Sequence, residues 1–180
     1  LYAQTVDALL EYEVAVLNPE TLKKYNRIYS YEPNHAFEAP DLTDAVILDS
    51  PLTVFYPVLE GTYPLVIISH GWQVSKKPNA SLARYLASQG YVAAILSAKE
   101  KSYPEEFIAA FESAYTLLKT ANENTESRLF KRMDMQKTAV IGHSMGGTAA
   151  LHFSKSSPDI SAVIALNPYN GASFLIERVG

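Results

Sequence analysis

The 180-residue chain has no cysteine, so disulfides and thiolate-held zinc are excluded, though this does not decide the compartment. It has no excess of basic residues either. The formal net charge is −4 and the pI about 5.6, which removes the electrostatic footprint of a nucleic-acid binder. No run of like charge suggests a tail or a membrane-surface segment. Apolar stretches such as Pro64 to Ser69 and Ala162 to Leu166 are far too short to span a bilayer. The first residues carry Asp7, Glu11 and Glu13 and do not read as a signal peptide; a start at Leu1 is compatible with a mature or trimmed product. Glycine is scarce, at eight residues. A chance G-x-S-x-G in a chain of this size therefore has a probability of only roughly a few per cent.

That pattern is present. Residues 138–147 read Thr-Ala-Val-Ile-Gly-His-Ser-Met-Gly-Gly. A β-branched, apolar run meets Gly142-His143-Ser144-Met145-Gly146, and the helix-forming Thr148-Ala149-Ala150-Leu151 follows. This is the strand–turn–helix setting in which the motif presents a nucleophile. A serine hydroxyl is a poor nucleophile and must be held at an exposed, sharp turn where a base can reach its proton. Such a turn strains the serine backbone. Side chains two residues before and after would collide with the neighbouring helix and strand, so Gly142 and Gly146 are expected to relieve both contacts. Ser144 is the candidate nucleophile, with the helix N-terminus aiming free N–H groups at the reaction centre.

The length suits one domain, residues 1–180, with a less readable N-terminal segment (1–45) and a core from 46 onward. Within 1–45, Thr5 to Leu10 reads as a short helix or Glu11 to Leu17 as an alternating strand. Asn18 to Asp41 reads as irregular, with a short helix near Glu20 to Tyr25. From residue 46 the pattern sharpens. Leu52 to Val58 is an alternating strand candidate. Leu65 to Ser69, Tyr91 to Leu96, Ala139 to Ile141 and Ile160 to Leu166 are short apolar runs, as expected for strands buried on both faces. Asn79 to Gln89 reads as a helix with Leu82, Tyr85 and Leu86 on one face and Gly90 as its stop. Ser102-Tyr103-Pro104-Glu105 resembles a capping box before a helix carrying Phe107, Phe111, Ala114, Tyr115 and Leu118. The helix after Ser144 is expected to run to about Lys155. Strands alternating with helices imply an α/β fold, a parallel sheet covered on both faces.

Over roughly residues 50–175 this order resembles the α/β-hydrolase superfamily. It is similar in particular to the branch of cutinase-type polyester hydrolases, platelet-activating-factor acetylhydrolases and dienelactone hydrolases. Tyr63 to Trp72 resembles that branch's third strand and oxyanion loop, Ser81 to Ala94 its next helix and strand, and Thr138 to Gly147 its nucleophile elbow. One departure is visible: Ser97-Ala98-Lys99 stands where the branch often has an aspartate. The resemblance implies an α/β-hydrolase fold, a mostly parallel sheet with helices on both faces, truncated here after strand six. It implies a serine esterase of small-molecule or polymeric esters, with no metal or organic cofactor, and a secreted or periplasmic setting more than a cytoplasmic one. It also implies an oxyanion hole from the backbone N–H groups of Trp72 and Met145, each worth roughly 3 kcal/mol by analogy with serine proteases. Trp72 and Tyr169 would line the acyl cleft at the carboxyl ends of parallel strands, where open α/β sheets bind ligands; simple packing is the other reading of both rings.

A serine hydrolase also needs a histidine base and an acid to orient it, which in this family follow the nucleophile in the order acid, histidine. Neither can be placed. His143 lies within the elbow. His152 is eight residues beyond Ser144, about 12 Å along a helix axis. His70, on the oxyanion loop, reads as ordering that loop, and His35 is unassignable. Asp134 and Asp159 read as turn residues at the far end of the sheet, and Glu177 as solvated in a helical-looking tail. Three expectations follow. The chain is a fragment of a longer hydrolase, or a complementing C-terminal segment or separate chain supplies the missing strands, or it is a non-catalytic ligand-binding protein of hydrolase fold. The first two leave a sheet edge at the strand ending at Leu166 that wants a partner.

Overall fold

The computed structural model describes residues 12–17, 28–31, 52–98 and 103–170, the first two segments as backbone only. The elements run β1 (Tyr12–Leu17), β2 (Ile28–Tyr31), β3 (Leu52–Pro57), β4 (Tyr63–Ser69), α1 (Asn79–Ser88), β5 (Val92–Leu96), α2 (Pro104–Glu123), β6 (Met133–His143), α3 (Met145–Ser156) and β7 (Ile160–Leu166). The helices read near residues 5–10, 20–25 and 172–179 lie outside the described residues, as do His35 and Glu177.

The described strands form one sheet in the order β2-β1-β3-β5-β4-β6-β7. It is mixed rather than mostly parallel. β5, β4, β6 and β7 make a parallel block, while β3 runs antiparallel to β5, β1 to β3 and β2 to β1. Ile28–Tyr31 was expected to be irregular; it is a strand because it can complete a hairpin on β1, a pairing that local composition does not reveal.

Alternation along the central strands sends side chains to two separate cores. On one face Val54 and Tyr56 of β3, Leu65 and Ile67 of β4 and Ala94 of β5 pack with Phe107, Phe111 and Leu118 of α2 and Ala149 and Phe153 of α3. On the other, Phe55, Val66, Ile68, Ala93 and Ile95 pack against Ala80, Ala83 and Ala87 of α1. The sheet therefore carries helices on both faces. Every residue of β3 is buried, not every second one, because each face has its own helix layer. α1 meets the sheet through its alanines, with Leu82 and Leu86 alongside and Tyr85 half-exposed, so Tyr85 is not on the buried face as the spacing had suggested. At the start of α2 the residue N-terminal to the helix is Tyr103, one later than Ser102. Its backbone N–H donates to the Glu106 carboxylate at 2.6 Å.

β7 departs from the expected buried strand. It pairs only with β6 among the described residues, and Val163, Ile164 and Leu166 are exposed. Among the described residues β7 has one neighbour instead of two, and α1 lies over the middle of the sheet, so none of these covers its apolar side chains. No helix among the described residues is long and apolar enough to cross a membrane.

Candidate active site

β4, β6 and β7 are parallel neighbours and end side by side, at Ser69, His143 and Leu166. The segments leaving these ends hold three of the described non-glycine residues with positive φ: Gln73 (54°), Ser144 (53°) and Asn167 (44°). L-residues rarely adopt this region, and such strain persists where surrounding contacts enforce it. Its clustering at one end of the sheet marks the place where loop geometry departs from ordinary turns.

At Ser144, φ is 53° and ψ −120°, and the helix α3 starts at the next residue. Backbone bonds clamp the turn. Ser144 N–H donates to the Leu166 carbonyl at 3.0 Å. The Ser144 carbonyl accepts from Thr148 N–H at 3.1 Å and Tyr169 N–H at 3.0 Å. Thr148 Oγ1 adds a bond to the Tyr169 carbonyl at 2.6 Å. The turn is thus tied to the segment after β7, which brings the Tyr169 backbone beside Ser144.

The two motif glycines are needed for close approach. A Cβ on Gly142 would lie 2.0 Å from the Gly146 carbonyl oxygen, and one on Gly146 would lie 2.3 Å from the His70 carbonyl oxygen. Strand, helix and the loop after β4 therefore touch through backbone alone. The same loop reaches the serine: a Cβ on Gly71 would sit 3.1 Å from Ser144 Cβ and from His143 Nδ1. Ser144 itself is half-buried. Met145 is the first residue of α3, so its N–H is one of the donors that a helix start leaves without an intrahelical acceptor. Trp72 follows Gly71, and Trp72 and Tyr169 are both close to half-exposed (46% and 45%) at this end of the sheet.

Two buried polar side chains hold the loop after β4. His70 Nδ1 lies 2.7 Å from the Gly71 carbonyl oxygen, and its Nε2 accepts from Ala98 N–H at 3.1 Å. The ring stands edge-on to Phe107 of α2, 5.4 Å between centroids. Burial lowers the His70 pKa below its usual 6.5, the bond to the Gly71 carbonyl opposes this, and the charge of Lys76 adds to the lowering. Lys76, almost wholly buried, donates to Thr53 Oγ1 on β3 at 3.1 Å.

The other residues singled out in the sequence fall elsewhere. Both ring nitrogens of His70 are engaged away from Ser144, and no histidine is hydrogen-bonded to Ser144 among the described residues. His152 is buried in α3. Asp159 accepts from the Tyr115 hydroxyl at 2.9 Å just before β7 begins, and Asp134 pairs with Lys137 at 3.0 Å near the start of β6. Both lie at the end of the sheet opposite Ser144. Asp134 stands inside β6 rather than in a preceding turn, because the strand starts earlier than its apolar run. Lys76 and Thr148 were not singled out. Ser75-Lys76-Lys77 gives no hint of which lysine is buried, whereas Thr148 could have been suspected from its place one turn into the helix after Ser144.

A strained serine between a parallel strand and a helix, beside the loop of the neighbouring strand, on a sheet with helices on both faces, defines an α/β-hydrolase. Within that class the chain belongs to the chlorophyllase family, whose sequence profile matches residues 34–178. It is 31% identical over 119 residues to cutinase est1 of Thermobifida alba, covering 66% of this chain and 39% of that protein. It is 31% identical over 118 residues to a cutinase of Thermobifida fusca (66% and 38%). It is 30% identical over 125 residues to the bis(hydroxyethyl) terephthalate hydrolase of Streptomyces coelicolor (66% and 37%). These matches span less than half the length of each relative.

Proposed function

We propose that this protein hydrolyses carboxylic esters through an acyl-enzyme on Ser144. The observation that carries the reading is the strained Ser144 turn at the start of α3, with Gly71 of the neighbouring loop against its Cβ. In this reading Ser144 Oγ attacks the ester carbonyl and its proton passes to a histidine outside the described residues. The N–H groups of Met145 and Trp72 receive the developing oxyanion, and the histidine gives its proton to the departing alkoxide, which leaves as the alcohol. Water then attacks the acyl-enzyme, with the now neutral histidine taking its proton and returning it to Ser144 Oγ as the acid is released. In this reading the half-exposed rings of Trp72 and Tyr169, on segments that leave the same end of the sheet as Ser144, are the surfaces offered to a flat acyl group. The Streptomyces relative's name makes bis(hydroxyethyl) terephthalate the first substrate to try.

Intact mass spectrometry of the full-length protein with a fluorophosphonate probe tests this. One adduct is expected, absent in Ser144→Ala, together with ester turnover that the same substitution abolishes while the circular-dichroism spectrum is kept. A folded protein that takes no adduct and binds esters without turnover refutes the hydrolase reading and makes the fold a ligand-binding one.

A further inference from the structure

We propose that the His70 side chain sets the direction of the oxyanion donor on Trp72 by gripping the other side of the same peptide unit. This rests on the ester-hydrolase reading above, in which that N–H stabilises the reaction. His70 is a positioning residue here and does not meet the substrate.

The two partners of the ring fix its tautomer. A backbone N–H can only donate, so Nε2, 3.1 Å from Ala98 N, must hold a lone pair. In a neutral imidazole the proton is then on Nδ1, and Nδ1 faces the Gly71 carbonyl oxygen at 2.7 Å. That carbonyl and the Trp72 N–H belong to one planar peptide unit. No described peptide bond is cis, so the two groups point in opposite directions. Holding the carbonyl on the His70 side leaves the N–H facing away from the ring. Val74 N–H reaches the same carbonyl at 3.3 Å and closes a turn through Gln73, whose φ of 54° needs outside ties to persist.

The anchor is buried and the tip is half-exposed. His70 is buried against Phe107 in the core, and the far side of the loop is tied to β3 through Lys76 and Thr53. Trp72 between these ties is half-exposed. Orientation of its N–H therefore comes from the His70 grip and not from packing of the indole.

Two substitutions in the full-length protein separate the ring's two bonds. The amide nitrogen of asparagine reaches the place of Nδ1, whereas the amide of glutamine reaches that of Nε2. His70→Asn keeps the grip on Gly71 and is expected to lower kcat by no more than about threefold, while His70→Gln keeps only the Ala98 bond and lowers kcat about a hundredfold at nearly constant KM. Equal losses in both variants, or the reverse order, overturn the inference and leave His70 as a tie between loops. Nitrogen-15 spectra of labelled histidine supply a readout that needs no turnover. Protonation of His70 at Nδ1 supports the grip, and protonation at Nε2 overturns it even in an active enzyme. Absence of Ser144-dependent labelling in the wild type refutes the hydrolase reading instead, which the tautomer leaves untouched.

Discussion

A single added methyl group distinguishes the two kinds of glycine at this site. On Gly146 it would sit 2.3 Å from the His70 carbonyl oxygen and within 3 Å of the Ser69 side chain. A backbone atom cannot swing aside, so the loop after β4 must move bodily. Gly146→Ala is expected to destabilise the protein by about 1–3 kcal/mol or more, read as a fall in thermal midpoint. On Gly71 the nearest atoms are Ser144 Cβ and His143 Nδ1, both at 3.1 Å, and a few tenths of an ångström relieve the contact. On the ester-hydrolase reading, Gly71→Ala should keep its thermal midpoint and lose kcat, because the displacement falls on Ser144. A Gly71→Ala enzyme with unchanged kcat would show that this loop does not border the reaction centre.

Between elements, one bond at the far end of the sheet carries a pH signature. The Tyr115 hydroxyl of α2 donates to Asp159, which leads into β7, at 2.9 Å. Burial first, then this bond and the carboxylate charge, raise the phenol from 10.0 to about 12. The folded state thus keeps a proton that the unfolded chain gives up near pH 10. Stability is full below that value and declines as pH rises from 10 towards 12. Tyr115→Phe should cost about 0.5–1.5 kcal/mol at neutral pH, the worth of one hydrogen bond. In denaturant titrations the gap between wild type and variant should shrink above pH 10; a constant gap would mean that Tyr115 titrates normally. The same elements show what could be read beforehand. α2, β4, β5 and α3 were legible because their apolar spacing and stop signals are local. The Gly142 and Gly146 contacts were legible because the motif itself demands them. β2 was not, since what extends it among the described residues is its pairing with β1. An edge at β7 was expected on the fragment and complementing-chain readings, but the run Ile160 to Leu166 taken by itself reads as buried, since an apolar run looks the same at the centre of a sheet and at its edge. The tie of Lys76 to Thr53 joins residues 23 apart in sequence and leaves no pattern in either segment.

At the scale of the whole molecule the sheet divides the core and also couples its halves. Val54 and Tyr56 face α2 while Phe55 between them faces α1, and Ile67 and Ile68 divide in the same way. Neither helix layer can leave without exposing strands whose other face is still packed, so the layers should unfold together. Phe111 tests this. It is fully buried, stacked on Phe153 at 5.6 Å between centroids, and lies on the face away from α1. Phe111→Ala should cost about 3–5 kcal/mol through lost burial and the cavity left behind. Trp72 is the sole tryptophan and sits on the loop leading to α1. Its fluorescence in urea should therefore report the same lowered midpoint as far-ultraviolet circular dichroism, although the substitution lies in the other layer. If the fluorescence midpoint instead stays at the wild-type value while the dichroism midpoint falls, the two faces unfold as separate units, and the contact of His70 with Phe107 does not bind the Trp72 loop to the α2 layer.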